Sequence, residues 1–458
     1  MKLTDDLIKM FLTEEVDHGG IARCTVAAYP GLFRHNNSFG WLKYNGKFWE
    51  KEGAAAAVSR AIQNVLEERR VAYARKEEFK KSRACRCWNS TIRNVMSLIK
   101  DRADILTAPA DFDNGDDLIN CANGLFNMRS GELIPHSPDQ LFTYALKVKY
   151  NPEADYSHWL EFMYSCGLDS DMINYLQMAF GYIFTGYTSE EILFYVWGLT
   201  RSGKGTLIET ITEAFSPLGV GVSMTTFTSK RTGDTNNFDL APLKDKRMVT
   251  ASETSRHGSL NAAFIKAWTG GDTISASFKG KNTFYFRPQF KIVMSSNFPV
   301  NVDVDDDAAW GRIRVIHFPN SFLGKEDKGL KARLKTKESL EGVLLWILSG
   351  AVSWYEIRDN GLPLPDKVKQ ATDEHRAALD SIAQFIGMSC KTGKDYYTVG
   401  KHLYSAYKMW AEEEGYKPYG RKRFTQVLEK RGHVSKTKRI GGKVTRIYDN
   451  IGLLQDEV

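Results

Sequence analysis

Cysteine is scarce in this chain and is not arranged for pairing or metal binding. Six thiols in 458 residues lie at 24, 85, 87, 121, 166 and 390, with no Cys-x-x-Cys pair and no neighbouring histidine to complete a zinc set. Cys85 and Cys87 form the one close pair and read as reduced and incidental. An apolar run of about 18 residues is lacking, and residues 1–6 carry no secretory apolar core, so a soluble intracellular protein without a membrane partner is expected. Internal repeats and low-complexity tracts are also missing. A strong excess of one charge is absent as well, the formal net charge being +7. The small excess is uneven, however: residues 391–450 hold fifteen Lys/Arg against six Asp/Glu, which points to a polyanionic partner.

The most informative segment is an apolar run, 192–197, that empties into Gly198-Leu-Thr-Arg-Ser-Gly203-Lys204-Gly205-Thr206-Leu207 and then an amphipathic helix ending near Phe215. Gly198 and Gly203 let the backbone curl so that its N–H groups point inward. The helix N-terminus adds positive potential, and the Lys204 ammonium can reach phosphate oxygens. Gly205 stands where a hydroxyl is usual, so a Mg²⁺-facing hydroxyl falls to Thr206 or is absent. The alternative is a glycine-rich turn with a solvated lysine.

Length allows about three domains. Residues 1–110 read as mixed structure and then helix. The charges of 54–81 form a solvated helix face first and a DNA contact second. Residues 111–188 contain hairpin-like turns at Asn123-Gly124 and Ser130-Gly131, then helical periodicity over 158–185. Strands and helices alternate through 190–320, within a unit at 189–357, predicting an α/β domain with a largely parallel sheet and helices on both faces. A connection near 358–370 precedes a C-terminal unit at 370–458.

Chemistry beyond phosphate binding needs an acid, a polar sensor and a cation. Glu253 follows the short strand 247–251 and is the candidate to polarise water, with Ser252 where a second acid is common; an ordinary surface glutamate is the alternative. Asn297 ends the apolar strand 290–296 and can hydrogen-bond water and phosphate, or simply form a turn before Phe298-Pro299. Arg312 precedes the strand 313–318 and can serve a neighbouring subunit's nucleotide, or pair with Asp305, Asp306 and Asp307. Between acid and sensor, residues 273–286 form a basic hairpin whose Lys279 and Lys281 can grip a phosphate backbone beside Phe278, unless the lysines merely keep it soluble.

At the C-terminus, helix, turn, helix and hairpin spell a winged helix. Arg421 and Arg423 open its second helix, and Lys438, Arg439 and Lys443 sit on the wing, all placed for DNA backbone or base contacts. The alternative is a docking module with solvated charges. Aromatics at 404, 407 and 410 are core.

The order of these pieces resembles superfamily 3 helicases. It is carried by the phosphate loop, Lys246 through Glu253, Ile265-Lys266 through Asp272, Phe290 through Pro299 and Trp310-Gly311-Arg312. The stretches Asn123 through Gly131, Tyr150 through Ala154 and Phe180 through Gly186 resemble most closely the phage/plasmid/poxvirus primase-helicase branch. The resemblance implies an AAA+ ATPase using ATP and Mg²⁺, assembling as a hexameric ring and moving 3′ to 5′ on single-stranded DNA at a fork. It implies Lys204 and Thr206 on phosphates and metal, Glu253 as catalytic acid with a share in metal binding, Asn297 as sensor, Arg312 as the finger in trans and Lys279/Lys281 on the DNA. Gly311 departs from a second arginine often found there. The implied role is replication initiation for a phage, plasmid or mobile element, in a bacterial cell or viral replication compartment, with a separate primase or host polymerase as partner. Residues 1–110 are too few for a usual primase, and the Asp111/Asp113 pair has no third partner apparent. A helicase loader, or an origin-binding protein with a decayed ATPase, are the rival readings.

Overall fold

The computed structural model describes residues 4–228, 237–252, 259–279 and 282–454. At its centre lies a five-stranded sheet of β1 (Leu193–Gly198), β2 (Gly219–Ser223), β3 (Met248–Ser252), β4 (Lys291–Ser296) and β5 (Ile313–Phe318), in the order β5-β1-β4-β3-β2. Every neighbouring pair is parallel. A parallel sheet is covered on both faces, which is why β4 is buried at every position. Side-chain alternation divides β1 between two cores. Phe194 and Val196 join a core shared with the helices α1 (Ser170–Phe184), α2 (Lys204–Ala214) and, further along the chain, Lys337–Ile357. Leu193 and Tyr195 face the opposite core, with Ile265 and Trp268 of α3 (Ala262–Thr269) and with Ile274 and Ala276 of the following hairpin.

The helix Lys337–Ile357, here α4, is long and apolar enough to span a bilayer together with the turn that follows it, an exception to the expected lack of such a run. Two-thirds of its apolar window is buried, because α4 packs along α1. A Cβ on Gly181 would lie 2.1 Å from the Ala351 nitrogen, and one on Gly350 would lie 2.0 Å from the Gln177 carbonyl oxygen. The two backbones are in direct contact there.

The expected connection at 358–370 is shorter than the sequence suggests. The helix α5 (Asp366–Leu379) packs on β5, where Thr372 Oγ1 accepts from the Val315 N–H at 3.1 Å and Ala371 joins the sheet's core. The C-terminal core therefore starts at Ile382. It runs helix Ser381–Ser389, strand Cys390–Val399, helices Gly400–Glu413 and Arg421–Lys430, then strands Ser435–Ile440 and Lys443–Leu453 joined by Gly441-Gly442, both at positive φ. Its antiparallel sheet has the last strand in the middle. Tyr407 is fully buried in this unit, and Tyr404 and Trp410 pack against its core.

Towards the N-terminus, the expected hairpins form at Leu118–Cys121, Gly124–Asn127 and Glu132–Ile134. The periodic stretch 158–185 divides into Ser157–Ser165 and α1, parted at Gly167, whose φ is +85. Residues 4–106 form a helical unit around Ala54–Arg75 with a small antiparallel sheet, and the basic stretch 54–81 breaks after Arg75 into a second short helix, Phe79–Ala84.

Candidate functional site: a phosphate-type loop at the carboxyl edge of the sheet

Gly198 ends β1 and Lys204 begins α2, so the loop between them lies at the carboxyl edge of the sheet, where ligands bind in open α/β folds. Two of its residues have positive φ, Arg201 at +62 and Gly203 at +95. Neither loop glycine can carry a side chain. A Cβ on Gly198 would meet the Phe318 carbonyl oxygen at 2.5 Å, and one on Gly203 would meet Cys166 Sγ at 2.4 Å. Gly205 is different: its Cβ would meet only Glu209 Oε1, at 3.8 Å, so packing does not impose this departure from the usual hydroxyl.

Lys204 is 7% exposed and folds its ammonium back into the loop. The three N–H groups of Nζ are shared among four acceptors, the carbonyls of Gly198 and Leu199 at 2.8 Å each, Ser202 Oγ at 3.0 Å and Asn297 Oδ1 at 3.0 Å. Burial pushes its pKa down to about 8. Asn297 follows β4, the strand beside β1, and its amide donates to Thr200 Oγ1 at 3.3 Å. The structure thus brings together Lys204 and Asn297 from positions far apart in sequence. Next to them the hydroxyls of Ser252 and Ser295 sit 3.1 Å apart across β3 and β4. Glu253, the expected acid, lies outside the described residues.

Thr206 is half-buried and opens on a cleft of about 830 Å³ lined by Phe162, Phe322, Leu330 and a basic rim that includes Lys325 and Lys331. Leu207 is fully buried; its side chain belongs to the core beneath the loop. The donors present fit a nucleotide polyphosphate. The ammonium's oxygen partners are ones a phosphate can replace, and Thr206 lines the cleft. Among the described residues no cluster of three His, Cys, Asp or Glu is placed to hold a metal; of the two residues expected to face Mg²⁺, Thr206 lies at the loop and Glu253 lies outside the described residues.

Arg312 lies at the opposite edge. Its carbonyl accepts from the Leu193 N–H at 2.8 Å, and the register pairs Ile313 with Leu193 and Phe318 with Gly198. Six strand steps, about 20 Å, separate it from the loop end of the same sheet. Its guanidinium pairs with Glu191 and donates to the Ala308 carbonyl at 3.0 Å. The anticipated aspartates bind elsewhere: Asp306 to Lys266 at 3.0 Å, Asp307 to Arg376, and Asp305 to Arg423 at 2.6 Å.

The basic hairpin forms from Ile274–Ser277 and Thr283–Phe286. At its tip Lys279 is exposed and Phe278 stacks on Phe284 with ring centroids 5.4 Å apart. Lys281 lies outside the described residues.

On the C-terminal unit Arg421, Arg439 and Lys443 are exposed, and Lys438 Nζ sits 3.7 Å from the centre of the Tyr397 ring. Arg423 instead joins this unit to the sheet domain through Asp303 and Asp305. Asp111 and Asp113 do not converge. Asp111 accepts from the Ala108 N–H, whereas Asp113 is buried, accepts from Thr143, and has its pKa pushed up to about 6 by burial. Sequence reasoning missed Lys291, fully enclosed at the start of β4, which donates to the carbonyls of Thr185, Tyr187 and Gln289 and whose pKa burial drives well below its usual value. A charged residue heading an otherwise apolar strand was the available signal.

A glycine-lined loop between a parallel strand and a helix, with a buried lysine meeting an asparagine from the next strand, stands at the edge of an α/β core and has donors that fit phosphate. Family models match three segments of the chain. "D5 N terminal like" matches residues 22–166, a family of unknown function matches 196–313, and "Poxvirus D5 protein-like" matches 378–448. "Putative helicase L207/L206" of Acanthamoeba polyphaga mimivirus is 27% identical over 323 residues, 65% of this chain and 33% of that protein. "Putative helicase 184R" of Invertebrate iridescent virus 6 is 25% identical over 334 residues, 65% of this chain and 34% of that protein. The chain thus spans about a third of the length of these curated relatives. A solved structure of the NrS-1 C-terminal region shares the fold, with a TM-score of 0.50 at 13% identity, covering 96% of this chain and all of that one. Together these matches support the phage/poxvirus primase-helicase family as the one this chain resembles.

Proposed function

We propose that this protein is an ATP-dependent DNA helicase acting in replication initiation, with an AAA+ core that assembles head to tail as a hexameric ring and moves 3′ to 5′ along single-stranded DNA. The observation that carries the reading is the 3.0 Å contact between Lys204 and Asn297 at the carboxyl ends of β1 and β4. It supports the reading because a cation and an amide in contact at that edge can serve a terminal phosphate and its attacking water.

Each residue has a separable task. Lys204 trades its loop carbonyls for phosphate oxygens, and Asn297, released from the ammonium, orients water. Glu253 accepts the proton of that water. Mg²⁺, held through Thr206 with a share from Glu253, would draw charge from the phosphate oxygens. Arg312 is too far from its own loop to serve it, which supports a role at the neighbour's loop after exchange of its Glu191 partner. Lys279 and Lys281 take DNA phosphates at the hairpin tip. The C-terminal unit, with the element order of a winged helix, adds Arg421, Lys438, Arg439 and Lys443 as further DNA contacts, while Arg423 serves docking.

Mixing inactive chains tests the shared pocket. Glu253→Gln and Arg312→Ala proteins are each expected to lose turnover, and their mixture to regain part of it, because some junctions then combine two intact halves. If mixed rings form and no turnover returns, the shared pocket is wrong. Strand displacement on forked DNA separates unwinding from loading. DNA-stimulated turnover without duplex opening would favour a loader, and a Lys204→Ala protein that still supports replication would favour an origin-binding protein.

A further inference from the structure

A second basic surface lies far along the chain from the loop, in the segment 70–93, which holds eight Lys/Arg against two acids. The helix Ala54–Arg75 breaks at Glu77, whose φ is +60, into the short helix Phe79–Ala84, and Trp88 then caps the helix Asn89–Lys100. Cys85, 2% exposed, anchors this corner in the N-terminal core, while the rest turns outward. Phe79 and Trp88 are each 60% exposed, among the most exposed aromatics of the described chain. Phe79 opens a six-residue helix about 9 Å long, and Trp88 follows four residues after its end. Around them Lys80, Arg83, Arg86 and Arg93 are exposed and form no ion pair among the described residues, whereas Arg70 and Lys81 are tied to Glu67 and Glu78.

A solvated helix face explains the cations but not two large aromatics presented among them. Apolar rings in water are costly, and cations around them discourage a basic or apolar partner. Cations with interleaved aromatic faces match a polyanion whose flat bases are unpaired, since a duplex offers its phosphates but keeps its bases stacked inside. We propose that the Phe79–Trp88 corner is a binding surface for single-stranded DNA, separate from the hairpin at Lys279 and from the C-terminal cations. Phe79 and Trp88 stack on bases, and Lys80, Arg83, Arg86 and Arg93 hold the flanking phosphates. The choice of DNA over RNA rests on the proposed function; the stacking surface itself does not.

Irradiation of the full chain with a 5-iodouracil-substituted oligo(dT), without nucleotide, is expected to cross-link within residues 79–93. Phe79→Ala/Trp88→Ala should weaken oligo(dT) binding by about tenfold or more, and Trp88→Phe should restore most of it, with thermal unfolding unchanged because both rings are exposed. Binding read in a Lys204→Ala background is expected to show the same losses, so failure of the ATPase reading would leave the result intact. Cross-links confined to other segments would overturn the proposal. So would unchanged affinity in the double variant, or tighter binding of duplex DNA or oligo(rU) than of oligo(dT).

Discussion

The phosphate loop and the C-terminal unit both present cations, yet they hold them in opposite ways. Lys204 is enclosed, its ammonium fixed by four oxygens and its charge disfavoured by burial. Arg421, Arg439 and Lys443 stand in solvent, where water screens them and long side chains move freely. Charge held in a dry, preorganised loop acts on one ligand at one place. Charge on a wet surface acts additively, on any polyanion, and fades with salt.

The sharpest break in this contrast is Lys204→Ala. Removing one enclosed cation should lower ATP turnover by about 10²–10³-fold, measured as phosphate release, with the fold retained by circular dichroism. Asn297→Ala should follow in the same direction by removing the partner amide.

The second test is pH. Because the Lys204 pKa is lowered to about 8, its protonated fraction drops from about nine-tenths at pH 7 to about one-tenth at pH 9. Affinity for a non-hydrolysable ATP analogue should therefore fall by up to about tenfold across that interval, and Lys204→Arg should flatten the profile. Folding stability moves the other way. The enclosed ammonium is a cost below its folded pKa, and that cost is relieved as pH rises from about 8 towards the usual 10.5.

The smallest expected effect is on the wet surface. Arg421→Ala, Arg439→Ala or Lys443→Ala should each reduce the salt slope of DNA binding by about one and change stability by no more than about 0.5 kcal/mol. Arg423→Ala should instead loosen the C-terminal unit from Asp303 and Asp305 while leaving the salt slope nearly unchanged.

What the sequence revealed followed the distance over which each feature is specified. The loop was legible because strand, glycines, lysine and helix are contiguous, although the contacts that exclude a side chain at Gly198 and Gly203 come from Phe318 and Cys166, which the local sequence does not show. The sheet was legible as parallel from its alternating elements, but its order was not. Without the order β5-β1-β4, nothing in the sequence joins Lys204 to Asn297. Arg312 was recognised at a sheet edge, yet its partner Glu191 arrives from the start of β1 rather than from the adjacent aspartates. The start of α5 looked like a connection and the rest of it like part of the C-terminal unit, because its mean composition is charged. Only Val368, Ala371 and His375 are buried on it, a stripe too narrow to stand out before β5 supplies the opposing surface.

Gly181 and Gly350 have a consequence for how motion passes through this core. With no side chain between α1 and α4, the two helices meet as a joint without clearance, one reached by the chain before the phosphate loop and the other after the last strand of the sheet. A methyl group added at either glycine is a wedge. Because α2 packs on α4 as well, prising that joint apart would tilt the floor on which the loop stands while leaving every residue of the loop itself unaltered.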